Sequence, residues 1–258
     1  AIFLLKYSLV PTKKKVIKSI TKIKFLNFNL THPVGLAAGF DKNAEALPGL
    51  LKQNFSFIEI GTVTPLPQIG NSKPRVFRVP EEKSIINKLG FPNLGASKIF
   101  NNLCKIRIYH TLGLEPLIGV NIGCNKNTKN PLKDYEKCFE IFCSVADYIT
   151  INVSSPNTPG LRKLQLQNNL APLLKNLSNK RKEYFKKNKR KIPLVLKIAP
   201  DLVDSELKSI VKLIESYQIE GIIATNTSIN KKIIQNKKYT KLQGGISGNA
   251  YIKIRIIF

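Results

Sequence analysis

Short apolar runs recur along the chain, and each ends in a glycine or a small residue. Val34–Ala38 ends at Gly39, Phe57–Ile60 at Gly61, Leu117–Ile122 at Gly123 and Tyr148–Val153 at Ser154. Leu194–Ile198 ends at Ala199, and Gly221–Thr225 at Asn226. Runs of four to six β-branched, almost uniformly apolar residues read as strands buried on both faces of a parallel sheet. A 3.6-residue period fills most gaps between them. It predicts helices over Asn43–Gln53, Leu132–Ala146, Leu170–Lys187 and Ser205–Tyr217, the last with Asp204, Ser205 and Glu206 as its N-terminal cap residues. Six strands with crossover helices predict an α/β fold, either a (β/α) barrel or a doubly wound sheet. No internal repeat or interdomain linker interrupts the pattern.

Polar side chains gather where the apolar runs stop. Gly39, Asp41 and Lys42 follow the first, and Thr62 and Thr64 the second. Asn121 and Asn152 close the third and fourth, with Ser155 and Asn157 just beyond. Lys197 lies on the fifth, and Thr225, Asn226 and Thr227 end the sixth. Any one of these is explained as a cap or turn residue. Together they mark the C-terminal face of a barrel, where such folds place their sites. A lysine within Leu194–Ile198 has two explanations: an edge-strand side chain reaching water, or a cation held against charge developing on a ligand. Asn87, Asn121, Asn152, Asn157 and Asn226 offer uncharged donors and acceptors, which suits a flat heterocycle bearing amides and carbonyls. The segment Ser154–Gly160 carries two prolines and is expected to form a loop able to serve as a lid. Ser155 has no nucleophile-elbow motif and no nearby His or Asp pattern, which argues against a hydrolase triad.

Composition narrows the classes further. The 258 residues are 43% hydrophobic, enough for a core, and no apolar run reaches the ~18 residues of a membrane span. Cys104, Cys124, Cys138 and Cys143 form no C-x-x-C pair, and with only His32 and His110 besides, no metal site is expected. Reduced, mostly buried thiols, which suit a reducing compartment, are expected instead. The 42 basic and 16 acidic residues give +26. Nucleic acid, an anionic membrane surface and a Lys-, Asn- and Ile-rich compositional bias each account for such a charge. The excess is spread along the chain, which favours bias. Its densest run, Lys180–Lys191, reads as a solvated face. Ala1–Val10 is apolar with one lysine and precedes the basic Pro11–Lys15, a pattern expected of an amphipathic helix end and linker rather than a signal peptide. The chain has no Met, even at position 1, so a processed or cut N-terminus is expected.

Several ordered segments resemble the class 2 (quinone-dependent) dihydroorotate dehydrogenases. They are Pro33–Asn43, Glu59–Pro65, Asn87–Asn93, Asn121–Gly123, Ile151–Arg162, Leu196–Asp201, Ala224–Thr227 and Gly244–Gly248. The resemblance implies a TIM-type (β/α)8 barrel that binds FMN. It would oxidise dihydroorotate to orotate in de novo pyrimidine (UMP) synthesis, with ubiquinone or menaquinone as acceptor. By similarity, Ala37, Ala38, Gly39, Thr62, Asn121, Asn152, Lys197, Thr225 and Gly248 would line FMN. Lys42, Asn87, Lys88, Leu89, Gly90, Phe91, Asn152, Asn157, Asn226 and Thr227 would surround the substrate. Ser155 would be the base, Lys197 would stabilise charge on the reduced flavin, and Thr158 and Phe91 would sit near a proton relay. Class 1 relatives place Cys where this chain has Ser155.

The family's barrel has eight strands, whereas about six strand–helix units are expected here. Residues 1–30 are expected to be the remainder of a membrane-associating, quinone-tunnel segment with its linker, and 31–258 an FMN-binding barrel lacking its last two units. Tyr251–Phe258 alternates apolar and basic residues, which predicts a strand. A fragment of a longer reading frame is expected, over a frameshifted product or a shortened protein with a new role. The location implied is peripheral, on the cytoplasmic face of a bacterial inner membrane, with the mitochondrial inner membrane as the alternative. Two rivals remain: a partial barrel that binds flavin or orotate without turnover, and a basic nucleic-acid-binding protein using Lys180–Lys191. No stacking platform supports the second, and no nucleic-acid partner is expected.

Overall fold

The computed structural model describes residues 1–11 and 23–252. A short helix, α1 (Ile2–Lys6), precedes an antiparallel hairpin of β1 (Ile23–Phe25) and β2 (Phe28–Leu30). Next come β3 (Gly35–Leu36), α2 (Leu47–Leu50), β4 (Phe57–Val63), β5 (Val76–Val79) and β6 (Ser84–Asn87). Helices and strands then alternate: α3 (Ala96–Arg107), β7 (Leu117–Ile122), α4 (Pro131–Phe142), β8 (Tyr148–Asn152), α5 (Gln167–Asn188), β9 (Leu194–Ile198), α6 (Asp204–Ser216) and β10 (Gly221–Ala224). α7 (Lys237–Thr240), β11 (Gly245–Gly248) and α8 (Asn249–Ile252) follow.

The main sheet runs β3-β4-β7-β8-β9-β10, with every neighbouring pair parallel. Strand order follows chain order without reversal. A doubly wound sheet needs a switch point where the order turns back. Its absence from these six strands selects the barrel over the doubly wound alternative. The six expected strands are all present.

The strands alternate with period two. Ile58, Ile60, Ile118, Val120, Ile122, Ile149, Ile151, Leu194, Leu196 and Ile198 pack with Phe139, Phe142, Leu173 and Leu177 of the covering helices. The opposite face carries Glu59, Asn121, Tyr148, Thr150, Asn152 and Lys197. That face is partly polar, a departure from the uniformly apolar strands expected. A second, antiparallel sheet, β11-β6-β5, has its own small core of Val79, Ile86, Ile234, Ile246 and Ala250.

The helical expectations hold at α4, α5 and α6. The segment Asn43–Gln53 forms only the single turn α2, because Asp41 folds the preceding residues into a loop. The cap of α6 differs too: Val203 is the N-cap, and its N–H donates to Glu206 Oε2 at 3.0 Å. α3, the β1–β2 hairpin and the small sheet are additional to the expected elements. Tyr251 and Ile252 end α8 instead of opening a strand. The rest of that expected strand, and the basic residues Thr12–Lys15, lie outside the described residues.

Candidate active site

The loop after β3 is built around one carboxylate. Asp41 is buried, and its oxygens accept the N–H groups of Asn43 (3.2 Å), Glu45 (3.1 Å) and Ala46 (2.7 Å). Burial raises the Asp41 pKa, while these backbone donors oppose the rise. The resulting turn folds Lys42 back so that its ammonium donates to the Gly39 carbonyl. Burial lowers the Lys42 pKa, neighbouring Arg75 lowers it further, and Asp41 opposes the shift. Gly39 has φ +112°, and a Cβ there would meet no atom within 4 Å. Its backbone therefore presents an open cradle that a side chain would fill.

Inside the barrel, a buried network links three strands. Glu59 accepts from Asn121 Nδ2 (2.8 Å) and Thr150 Oγ1 (2.7 Å). Asn121 Oδ1 accepts from Thr62 Oγ1 (2.6 Å) and Asn152 Nδ2 (3.1 Å), and Asn152 Nδ2 also reaches Thr62 Oγ1 (2.9 Å). Asn152 Oδ1 accepts from Ser154 Oγ at 2.9 Å, and Ser154 Oγ accepts from Asn226 Nδ2 at 3.0 Å. Buried amides with every bond directed have one orientation, so this network fixes the floor of the site. Sequence reasoning assigned no role to Glu59. The signal was an acid within an apolar strand, as unusual there as Lys197.

Above this floor lies a cavity of about 280 Å³. Its wall brings together Ala38, Gly39, Lys42, Thr62, Asn87, Leu89, Gly90, Phe91, Asn152, Ser155, Asn157, Lys197, Thr225, Asn226 and Thr227. Ser247 of β11 joins them and was not anticipated. Five expected residues stand off this wall. Asn121 lies beneath it in the network. Ala37 lines a separate cavity of about 360 Å³ in the barrel interior, which Lys197 also borders. Lys88 faces outward, and Gly248 ends β11. Thr158 is buried, and its hydroxyl has no hydrogen-bond partner among the described residues. Three of the four thiols are buried and Cys104 is half-buried; burial pushes Cys124 up to about 12 and Cys143 up to about 11, which favours their protonated form.

Three loops are locked together beside the cavity. Arg162 donates to the Ser154 carbonyl (3.0 Å), Asp201 Oδ2 (2.7 Å) and the Thr227 carbonyl (2.8 Å). Ser155 is thus held on a tied loop, 5% exposed, with its Oγ accepting the Asn157 N–H at 3.2 Å. Lys197 makes no hydrogen bond or ion pair among the described residues, so its ammonium is free to meet a ligand.

The profile of the family described as dihydroorotate dehydrogenase matches residues 20–257. The chain is 46% identical to dihydroorotate dehydrogenase (quinone) of Bartonella tribocorum, over 91% of its own length and 62% of the relative's. It is 44% identical to the same-named protein of Aliivibrio fischeri, over 88% of its own length and 66% of the relative's. The chain therefore spans a little under two thirds of the length of these two relatives. The structure superposes on crystal structures of DHODH from Eimeria tenella. For the ferulenol complex the TM-score is 0.86 at 33% identity, covering 96% of this chain and 70% of that one. For the ligand-free form it is 0.88 at 34% identity, covering 96% and 72%.

Proposed function

The chain belongs to the dihydroorotate dehydrogenase family, and from that premise we propose that it carries the reacting centre of an enzyme that oxidises dihydroorotate to orotate. The observation that carries this reading is the convergence of Ser155, Lys197, Lys42 and the paired amides Asn87 and Asn157 on one cavity. Members of this family use a flavin. The donor set here fits a flavin ring: an unpartnered ammonium at Lys197, an open backbone cradle at Gly39, and the polar floor of Thr62 and Asn152. The flavin proposed is FMN, which when bound accepts a hydride from the substrate. Ala37, Ala38, Gly39, Thr62, Asn121, Asn152, Lys197, Thr225 and Gly248 form or support its site.

The chain's own residues do the rest. Lys197 would hold a positive charge beside a flavin bound in this cavity, and that charge would favour the reduced form. Lys42 meets the substrate carboxylate, while Asn87, Asn157, Asn226 and Thr227 read its amide and carbonyl edge, beside Lys88, Leu89 and Gly90. Ser155 Oγ would take the proton from substrate C5. A serine hydroxyl is a weak base in water and serves only where water is excluded and the proton has an onward acceptor. Buried Phe91 supplies the exclusion, and the unpartnered Thr158 hydroxyl is the proposed first acceptor.

The electron acceptor proposed is a membrane quinone, ubiquinone or menaquinone. Phe3, Leu4, Tyr7 and Leu9 are exposed on and just after α1, an apolar face suited to a membrane surface. This supports a peripheral membrane contact at α1; the division into a membrane-facing segment 1–30 and a barrel 31–258, and a place on the cytoplasmic face of a bacterial inner membrane, are proposed from the family resemblance alone. Among the described residues, no helix is long and apolar enough to cross a membrane.

The test is the visible spectrum of the purified protein, with and without dihydroorotate in the absence of air. A flavin spectrum that bleaches on addition, with orotate formed in equal amount and FMN released by acid, is the expected result. A flavin that dihydroorotate leaves oxidised would overturn the proposal.

A further inference from the structure

The loop carrying Ser155 has two sides. Its inner side closes the cavity of the candidate active site. Its outer side, through Pro156, Asn157 and Pro159, forms one wall of a larger cavity of about 600 Å³. Asn157 belongs to both walls, so the two spaces adjoin at this residue. Three lysines line the outer cavity: Lys88, Lys126 and Lys231. Among the described residues no Asp or Glu stands in that wall, and none of the three lysines makes an ion pair.

The lysines are positioned by neutral partners. Lys231 Nζ donates to the Gly244 carbonyl at 2.8 Å, and Lys126 Nζ to Asn71 Oδ1 at 3.3 Å. Lys88 Nζ stands 5.9 Å from the centre of the Phe77 ring. An ammonium has three donors, so Lys126 and Lys231 each keep two for something else. Asn71 also fastens the loop from below, with Nδ2 donating to the carbonyls of Lys88 and Asn157, both at 3.0 Å. Like charges in a concave wall, without counter-charge, raise the local concentration of small anions.

We propose that this outer cavity is the vestibule through which the anionic substrate reaches, and the anionic product leaves, the candidate active site. The ligand class is a small ring monocarboxylate, held in transit by Lys126 and Lys231. The proposal rests on the dihydroorotate reading above. It adds a site outside the reacting cavity, with a role in rate of passage rather than in final affinity.

The probe is orotate, mixed rapidly with the oxidised flavoenzyme and followed by the change in flavin absorbance across a range of salt concentrations. A Lys126→Gln/Lys231→Gln variant is compared with a Lys187→Gln/Lys208→Gln control, which removes the same charge from exposed positions on α5 and α6. A vestibule lowers the barrier to passage in both directions. At low salt the first variant is therefore expected to bind orotate about tenfold more slowly. Its dissociation slows in parallel, Kd moves less than threefold, and the salt dependence of association flattens. The control keeps the parental rates. Unchanged association with an unchanged salt slope would overturn the proposal. So would faster dissociation alone with weakened Kd, which would make these lysines part of the final binding site. If dihydroorotate never bleaches the parental flavin, the functional reading fails and the vestibule with it. Bleaching with unaltered variant rates removes the vestibule alone.

Discussion

The Asn157 side-chain amide donates to Asn87 Oδ1 at 3.0 Å, joining the loop after β8 to the end of β6 across seventy residues of sequence. Each side chain also faces the candidate active-site cavity. The pair therefore presents its remaining donor and acceptor sites to a ligand as one preset surface. Replacing either by Ala removes a ligand contact and unpins the other. Orotate affinity is expected to fall about tenfold for Asn87→Ala or Asn157→Ala. The double variant is expected to lose less than the sum, with a coupling of about 1 kcal/mol. Titration of the three variants with orotate measures that coupling, and additive losses would mean the amides act independently.

Ser155→Ala isolates the proton transfer. The hydroxyl is buried, and its one contact of note accepts the Asn157 N–H, so the substitution barely disturbs packing. Flavin reduction by dihydroorotate is expected to slow by about 10²–10⁴-fold, the usual range for a lost general base. Orotate binding should change little. Single-turnover reduction at parental speed would remove Ser155 from the mechanism.

Lys42 sets an alkaline limit on binding. Burial and neighbouring Arg75 hold its ammonium below the usual lysine value of 10.5. If the charged form meets the carboxylate as proposed, binding is expected to weaken as pH rises through the lowered value, before an exposed lysine would titrate. Folding has the opposite sign. The folded state binds fewer protons than the unfolded chain between the lowered value and 10.5, so this group's contribution to stability rises with pH across that window. Orotate titrations from neutral to alkaline pH should show a limb that Lys42→Gln weakens and flattens. A limb that survives the substitution would belong to another group.

Much of this centre was legible in the sequence because barrel geometry converts order into position. Strands that follow chain order place their C-terminal ends on one rim, and residues 38–42, 152–157 and 225–227 meet there without further information. What escaped is carried by non-local pairing. β6 and β11 lie more than 150 residues apart in the chain, yet pair Asn87 with Gly245 and bring Ser247 to the cavity. β5 and β6 are short, and Ile85 and Val76 are exposed, so no clean alternation announces them. Glu59 was hidden by its strand. In Phe57–Ile60 the apolar residues on the helix side mask an inward face whose polarity comes from the network, not from composition. The alternation was present in Tyr148–Asn152 as Tyr, Thr, Asn against Ile, Ile, and becomes readable once the inner face is known to be a site.

Gly119 and Tyr148 test the interior packing. They are partners across the β7–β8 pair, and a Cβ on Gly119 would stand 2.1 Å from the Tyr148 ring. Tyr148 is buried, and its ring meets Phe25 edge-on with centres 5.7 Å apart. The ring must shift toward the interior cavity that it borders, so Gly119→Ala is expected to destabilise the fold by about 2 kcal/mol, within the usual range of overpacking costs. Urea unfolding measures the loss. Adding Tyr148→Leu should cost less in the Gly119→Ala background than in the parent, since it relieves the clash. Equal costs in both backgrounds would show that the ring moves aside freely.

Arg162 distinguishes geometry from charge. Its guanidinium spans the loops after β8, β9 and β10 through Ser154, Asp201 and Thr227. The ion pair with Asp201 is partly exposed, with the two side chains 20% and 19% accessible. Pairs of that kind contribute about 0–1 kcal/mol, too little to explain a large effect. The fork has the larger consequence, because three acceptors in different directions fix the loop bearing Ser155 relative to Asn226 and Thr227. A lysine keeps the charge and can still reach Asp201, but one ammonium cannot replace a planar donor array at this spacing. Arg162→Lys is therefore expected to lower kcat about tenfold, and Arg162→Ala further, while the pH profile stays that of the parent because no titrating group has changed. The parental enzyme should keep its kcat in high salt, which screens the ion pair and leaves the two carbonyl contacts intact. If Arg162→Lys retained parental kcat and KM, the charge alone would suffice, and the loops would owe their positions to packing.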